Sequence, residues 1–183
     1  MNKSKLTKLE KYWILYDVGN SAFILLVSTI IPIYFDAMAE KAGISEVDYL
    51  AYWGYATSVA TFLVAIIGPI LGTIADTKGY KKPIFAVSMM VGVLGCAGLS
   101  LPTSWIVFLA VFVVAKVGYS ASLIFYDAML ADVTTPERMD TVSSHGYAWG
   151  YLGSCFPFII SLIFVLFHEK IGISMTAAMI FAF

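Results

Sequence analysis

Gly72-Thr73-Ile74-Ala75-Asp76-Thr77-Lys78-Gly79-Tyr80-Lys81-Lys82 separates two long apolar runs of this chain. An acid, a turn glycine and three lysines stand where a chain would leave a lipid bilayer and re-enter it. Asp76 is placed to cap the end of the helix before it, and Gly79 to allow the tight reversal. Lys81 and Lys82 would meet lipid phosphates or another part of the protein. Gly68 and Gly72 share a helix face, so a neighbouring helix could approach closely there.

The surroundings fit this reading. The chain is 60% hydrophobic and 13% charged, against about 25% charged in an average soluble domain, and its mean hydropathy is +0.86. A bilayer span needs about 20 mainly apolar residues. Runs of that size occur near 12–35, 49–75, 83–101, 105–130 and 146–167, and a sixth begins near 171 and is cut off at 183. A span that stops inside a bilayer leaves backbone groups unpaired, so a second bundle is expected beyond this one. Lysines, an apolar run and Ala37-Met38-Ala39 imitate a cleavable leader. The run is too long for one, and Asp17, Asn20 and Pro32 interrupt it.

Basic residues in short loops mark the cytoplasmic side. Lys3, Lys5, Lys8, Lys11, Lys78, Lys81, Lys82 and Arg138 fall on one side if every run spans, and only Lys41 and Lys170 on the other. The N-terminus is therefore expected inside, in a bacterial inner membrane if the bacterial relatives described below are the right comparison. Tyr12, Trp13, Trp53 and Trp105 lie near span ends, where amphipathic rings favour the headgroups. With a net charge of −1 there is no global attraction to nucleic acid. Cys96 and Cys155 sit in separate apolar runs and read as packed helix residues.

The ordered string Gly-x-x-Ala-Asp-x-x-Gly-x-Lys-Lys resembles the loop between helices two and three of the major facilitator superfamily. That pattern usually has basic residues after the acid and after the turn glycine; this chain has Thr77 and Tyr80 there, with Lys78 as a possible substitute for the first. Two further stretches narrow the likeness. Helix one contains Tyr16-Asp17-Val18-Gly19-Asn20-Ser21-Ala22-Phe23. Helix four ends Phe125-Tyr126-Asp127, followed by Pro136-Glu137-Arg138 and then Val142-Ser143-Ser144-His145-Gly146-Tyr147-Ala148-Trp149-Gly150-Tyr151-Leu152-Gly153. These resemble the branch that contains the vacuolar amino-acid effluxers of fungi and their bacterial relatives. That branch usually has Phe-Tyr-Asn where this chain has Asp127.

The resemblance implies an all-α polytopic membrane protein: the N-terminal six-helix bundle of the major facilitator fold, two inverted three-helix repeats completed by a second bundle. It implies a secondary transporter that moves a small polar metabolite, an amino acid among the candidates, by alternating access. Asp76 would be a latch against the second bundle. The partners implied are lipid, a small-molecule substrate and the missing C-terminal bundle, with no cofactor and no nucleic acid.

Ionisable residues within spans point to function by default. Lys116 lies 11 residues after Trp105, roughly 16 Å deep at 1.5 Å per residue. It either lines a wet cavity, pairs across helices or snorkels; the distance to both interfaces weighs against snorkelling. Tyr119, Ser120 and Asp127 share its side of the helix. Asp17 and Asn20 are three apart and face together. Asp17 suits either a proton carrier or a fixed polar link between helices one and four. Lys116, Tyr119 and Asn20 are the substrate-cavity candidates, and Asp17 the proton-coupling one. Gly72, Asp76, Gly79, Lys81, Lys82 and Asp127 form the candidate loop and gate. Lys116 hints at an anionic group on the substrate. Gly146, Gly150 and Gly153 form a small-residue face for close helix packing, and Pro32, Pro69 and Pro157 are candidate bends.

No metal-ligand spacing, nucleophile with a base, or phosphate-cradling loop is present, so no enzyme is expected. The contrasting reading is a stand-alone membrane adaptor or regulatory half-transporter. Such a protein has little use for a midplane lysine.

Overall fold

The computed structural model describes residues 5–101 and 104–182. Lys3 and Phe183 lie outside them. The first helix, α1 (Lys8–Lys41), opens on a capping box. The Thr7 hydroxyl accepts from the Glu10 amide, and the Glu10 carboxylate accepts from the Thr7 amide, pairing donors that a helix start leaves free. Midway, Leu26–Ile30 forms a π turn. Pro32 follows within one turn and has no N–H to donate, so the ladder is locally rearranged there.

Ser45 caps α2 (Glu46–Ala75) by accepting from the Asp48 amide. The helix ends at Asp76, and Gly79 turns the chain at φ +91, a left-handed conformation that glycine adopts without steric cost. Then come α3 (Lys81–Gly98), α4 (Trp105–Val133) and, after a short 3-10 turn at Pro136–Arg138, α5 (Met139–Leu166). A single turn at His168–Ile171 leads to α6 (Met175–Ala182).

Among the described residues, five helices are long and apolar enough to cross a membrane. Their ends overrun the apolar runs of the sequence: α1 begins before residue 12 and continues past 35, and α5 begins at Met139 rather than near 146. Hydropathy marks where lipid contact begins, whereas capping and turn chemistry mark where the helix begins.

The helices pack in two tight pairs, α3 on α4 and α1 on α5, with α2 against α4 and α6 against α5. Small residues make both seams. A Cβ on Gly118 would lie 2.6 Å from the Gly92 nitrogen, and one on Gly95 2.8 Å from Ala115 Cα. On the other seam a Cβ on Gly153 would meet Val18 Cγ1 at 2.6 Å. Backbones this close gain dispersion contacts that apolar side chains facing lipid do not supply.

Two apolar clusters close the ends. Ile30, Ile31, Phe35, Phe108, Phe112 and Met179 belong to the larger, far from the N-terminus. Trp13, Ile14, Tyr126 and Val142 form the smaller, near it. Contacts between α1 and α4 are sparse, and that gap becomes the site.

Candidate functional site

A cavity of about 280 Å³ lies between α1 and α4, with α5 along its third side. From α1 it takes Trp13, Asp17, Asn20 and Ser21; from α4, Tyr119, Tyr126 and Asp127; from α5, Ser143, Tyr147 and Tyr151. Each helix contributes at turn spacing, which sets these residues on one face.

The cavity's walls are braced by aromatic packing. Trp13 stacks on Tyr126 at 4.3 Å between centroids, and its indole Nε1 donates to the Tyr126 carbonyl at 3.1 Å. Phe23 packs on Tyr119 at 4.5 Å. The Tyr16 and Ser122 hydroxyls bond to each other at 2.9 Å.

Asp17 depends on the glycines of α5. A Cβ on Gly146 would come within 3.2 Å of Asp17 Oδ2, and so would one on Gly150. The carboxylate thus occupies space that only glycine leaves open. Its other oxygen accepts from Asn20 Nδ2 at 3.4 Å, a long bond beside the usual 2.9–3.0 Å. Asn20 Oδ1 and the hydroxyls of Tyr119 and Tyr126 are buried without a hydrogen-bond partner among the described residues. Buried polar atoms are normally paired, so these three stand out among the residues that line the cavity.

The structure brings Asp17, Asn20, Tyr119 and Asp127 to this one cavity. Asp127 had been expected at a gate, with the loop residues. Lys116 and Ser120 do not line the cavity. Lys116 is half-buried, one turn beyond Tyr119, and makes no hydrogen bond or ion pair among the described residues. Gly146, Gly150 and Gly153 face α1 at Trp13, Asp17, Ser21 and Val18.

The Lys81 ammonium bonds Asp132 Oδ2 at 2.7 Å and the Ala128 carbonyl at 3.2 Å, tying the start of α3 to the end of α4. Among the described residues, no atom lies within 4 Å of a Cβ built on Gly72, whereas one on Gly68 would meet Ile124 at 3.6 Å. Asp76, Gly79 and Lys82 are exposed.

Sequence reasoning missed Glu10. It is 1% exposed, and Arg138 grips it through Nε and Nη2, both at 2.9 Å, while Thr134 donates at 2.7 Å. The Thr7-x-x-Glu10 capping box was the available signal. It also missed the Gly92, Gly95 and Gly118 seam, whose small-residue spacing was equally readable.

Five membrane-length helices among the described residues, with a cavity between two of them, define an integral, multi-pass membrane protein. The family model described as "Vacuole effluxer Atg22 like" matches residues 43–183. A Bacillus subtilis (strain 168) protein named "Uncharacterized MFS-type transporter YxiO" is 41% identical over 179 residues, 95% of this chain and 42% of that protein. The chain belongs to the Atg22-like vacuole effluxer family of MFS-type transporters. It spans less than half the length of the curated relative it matches. No solved structure matches it. The all-helical architecture is consistent with the N-terminal half-bundle of the major facilitator fold.

Proposed function

We propose that this chain forms the N-terminal bundle of a secondary active transporter that moves a small polar metabolite by alternating access. Its N-terminal end faces the cytoplasm. The α1–α4 cavity is this bundle's share of the substrate path, with Asn20 and Tyr119 as substrate contacts and Asp17 as the proton-coupling group. Lys116 stands one turn further along the same path. Asp76 and Gly79 belong to the loop that works against the second bundle.

The observation that carries this reading is the cavity between two membrane-length helices whose lining brings together Asp17, Asn20, Tyr119 and Asp127. Ionisable and polar residues within spans are costly and are kept where they line a path. A carboxylate with one long hydrogen bond can change protonation state without dismantling the helices around it.

The test is solute counterflow into proteoliposomes holding the full-length native protein, screened with a panel of labelled amino acids and related small polar solutes. Accumulation above that of empty vesicles, driven faster by an imposed pH gradient, supports the reading. No accumulation of any member by folded protein would sink it.

A further inference from the structure

The bundle is braced differently at its two ends. Toward the N-terminal end, the α1–α5 seam sets Gly146, Gly150 and Gly153 against Trp13, Ser21 and Val18, and Arg138, beside the start of α5, grips Glu10. The α3–α4 seam is as close, at Gly92, Gly95 and Gly118. Two tight pairs therefore face each other across the α1–α4 cavity. Aromatic side chains span the gap: Trp13 stacks on Tyr126, Tyr16 bonds Ser122 and Phe23 packs on Tyr119.

At the far end the pairs merge. Ile30, Ile31 and Phe35 of α1, Phe108 and Phe112 of α4 and Val165 of α5 share one core. The Tyr49 hydroxyl of α2 also donates to the Pro32 carbonyl at 3.2 Å.

Between these two regimes the helix ladder is broken twice at one level. α1 has its π turn at Leu26–Ile30, where the Ser28 and Thr29 hydroxyls both donate to the Leu25 carbonyl. α5 has Pro157 in its interior, which has no N–H to give to the carbonyl of Gly153. Gly150 faces Ser21. Counted onward from that pair, Pro157 is seven residues along α5 and the π turn five to nine along α1. Both breaks thus stand roughly 10 Å beyond it at 1.5 Å per residue.

The opposite pair has no such break. α4 runs from Trp105 to Val133 without proline or π turn. The one proline of α3, Pro83, lies in its first turn, where the N–H has no partner within the helix. Helices bend sharply at prolines and π turns. Breaks at one level in both members of a pair let them bend together without shearing the seam between them.

We propose that the N-terminal-side halves of α1 and α5 swing as one unit against the α3–α4 pair, about a joint made by Leu26–Ile30 and Pro157, so that the cavity widens and narrows within a single bundle. The bundle is then jointed, not a rigid body. The use of this motion in transport rests on the transporter reading above; the joint itself does not.

The test is pulsed spin-label distance measurement on the full-length native protein in lipid nanodiscs, with its native cysteines replaced. Labels at Lys11→Cys and Lys82→Cys span the two pairs, and labels at Lys11→Cys and Asp140→Cys stay within one; all three positions are exposed. All lie in this bundle, so rocking of whole bundles leaves both distances unchanged. The first set is expected to show two distances, and the second set one. A π turn holds one residue more than an α turn, so deleting Ser28 straightens α1 while its flanks keep their faces. The longer distance should then be lost. Pro157→Ala returns a donor to the Gly153 carbonyl and should cut the longer population severalfold, which keeps the test decisive should the deletion misfold. A single distance across the pairs in wild type would overturn the proposal. So would two distances within the α1–α5 set, or two across the pairs that persist unchanged in the folded variants. Counterflow separates the two readings. Solute accumulation with a single distance removes the joint and leaves the transporter; two distances without accumulation do the reverse.

Discussion

Glu10 and Asp17 lie two turns apart on the same helix, yet their surroundings are opposite. Glu10 spends both oxygens. Oε1 accepts from Thr134 and from Arg138 Nε, and Oε2 from Arg138 Nη2 and the Thr7 amide, all at 2.7–2.9 Å. Asp17 has one long bond, to Asn20 at 3.4 Å, and a second oxygen that sits over two glycines. A saturated carboxylate fastens α1 to the α4–α5 turn. An unsaturated one has capacity left for a proton or a ligand. The difference teaches that a buried charge is a functional candidate in proportion to the valence left unused around it.

Breaking the saturated site should have the largest effect on stability. Glu10→Gln loses the charge that Arg138 grips with two bonds, and a bidentate pair is among the strongest side-chain contacts. The variant is expected to show the greatest fall in thermal midpoint of all those named here, read by a fluorescence melt in detergent. Arg138→Lys should fall less, because it keeps the charge and loses only the fork. Equal melting of Glu10→Gln and wild type would mean that the network is incidental.

The seam between α1 and α5 allows a sharper comparison. Gly150→Ala and Gly153→Ala both crowd α1, and each should cost about 1–3 kcal/mol by overpacking. Only the first presses on Asp17 Oδ2; the second meets Val18. At matched stability, Gly150→Ala should lose more counterflow than Gly153→Ala. Equal losses would show that the seam matters only as packing.

Deleting one hydroxyl from each region gives the plainest contrast. Thr134→Val removes a donor from the Glu10 carboxylate and should cost about 1.5–3 kcal/mol, the range for bonds to charged groups. Tyr126→Phe removes a hydroxyl that bonds nothing among the described residues. It should leave the melting midpoint unchanged or slightly raised, since no bond is lost. A large destabilisation by Tyr126→Phe would reveal a partner that the cavity account does not contain.

Much of the fold was legible because lipid imposes a simple rule. Long apolar runs and basic loops gave five spans, and the string around Gly79 located a turn whose positive φ only glycine adopts freely. Asp17 stood out because a carboxylate within an apolar run is costly. Glu10 did not, because three lysines nearby made it look like part of a solvated tail. Its partner Arg138 is 128 residues away, a separation no local pattern can bridge. The Lys81–Asp132 pair, 51 residues apart, was hidden for the same reason. Lys116 was singled out by its depth and by sharing a helix side with Tyr119, Ser120 and Asp127, but neither says which gap between helices a side chain adjoins. The cavity follows from where α1 and α4 diverge, which depends on the glycine seams each makes with its other neighbour.

The most direct measurement sets the two carboxylates side by side in the full-length native protein. Glu10→Gln and Asp17→Asn would be reconstituted at equal amounts of folded protein, and each assayed for melting midpoint and for uptake driven by an imposed pH gradient. The account predicts that Asp17→Asn melts close to wild type and loses pH-driven uptake, while Glu10→Gln melts much lower and, where folded, still transports. Full pH-driven uptake in Asp17→Asn, or a collapse of its stability to match Glu10→Gln, would contradict it.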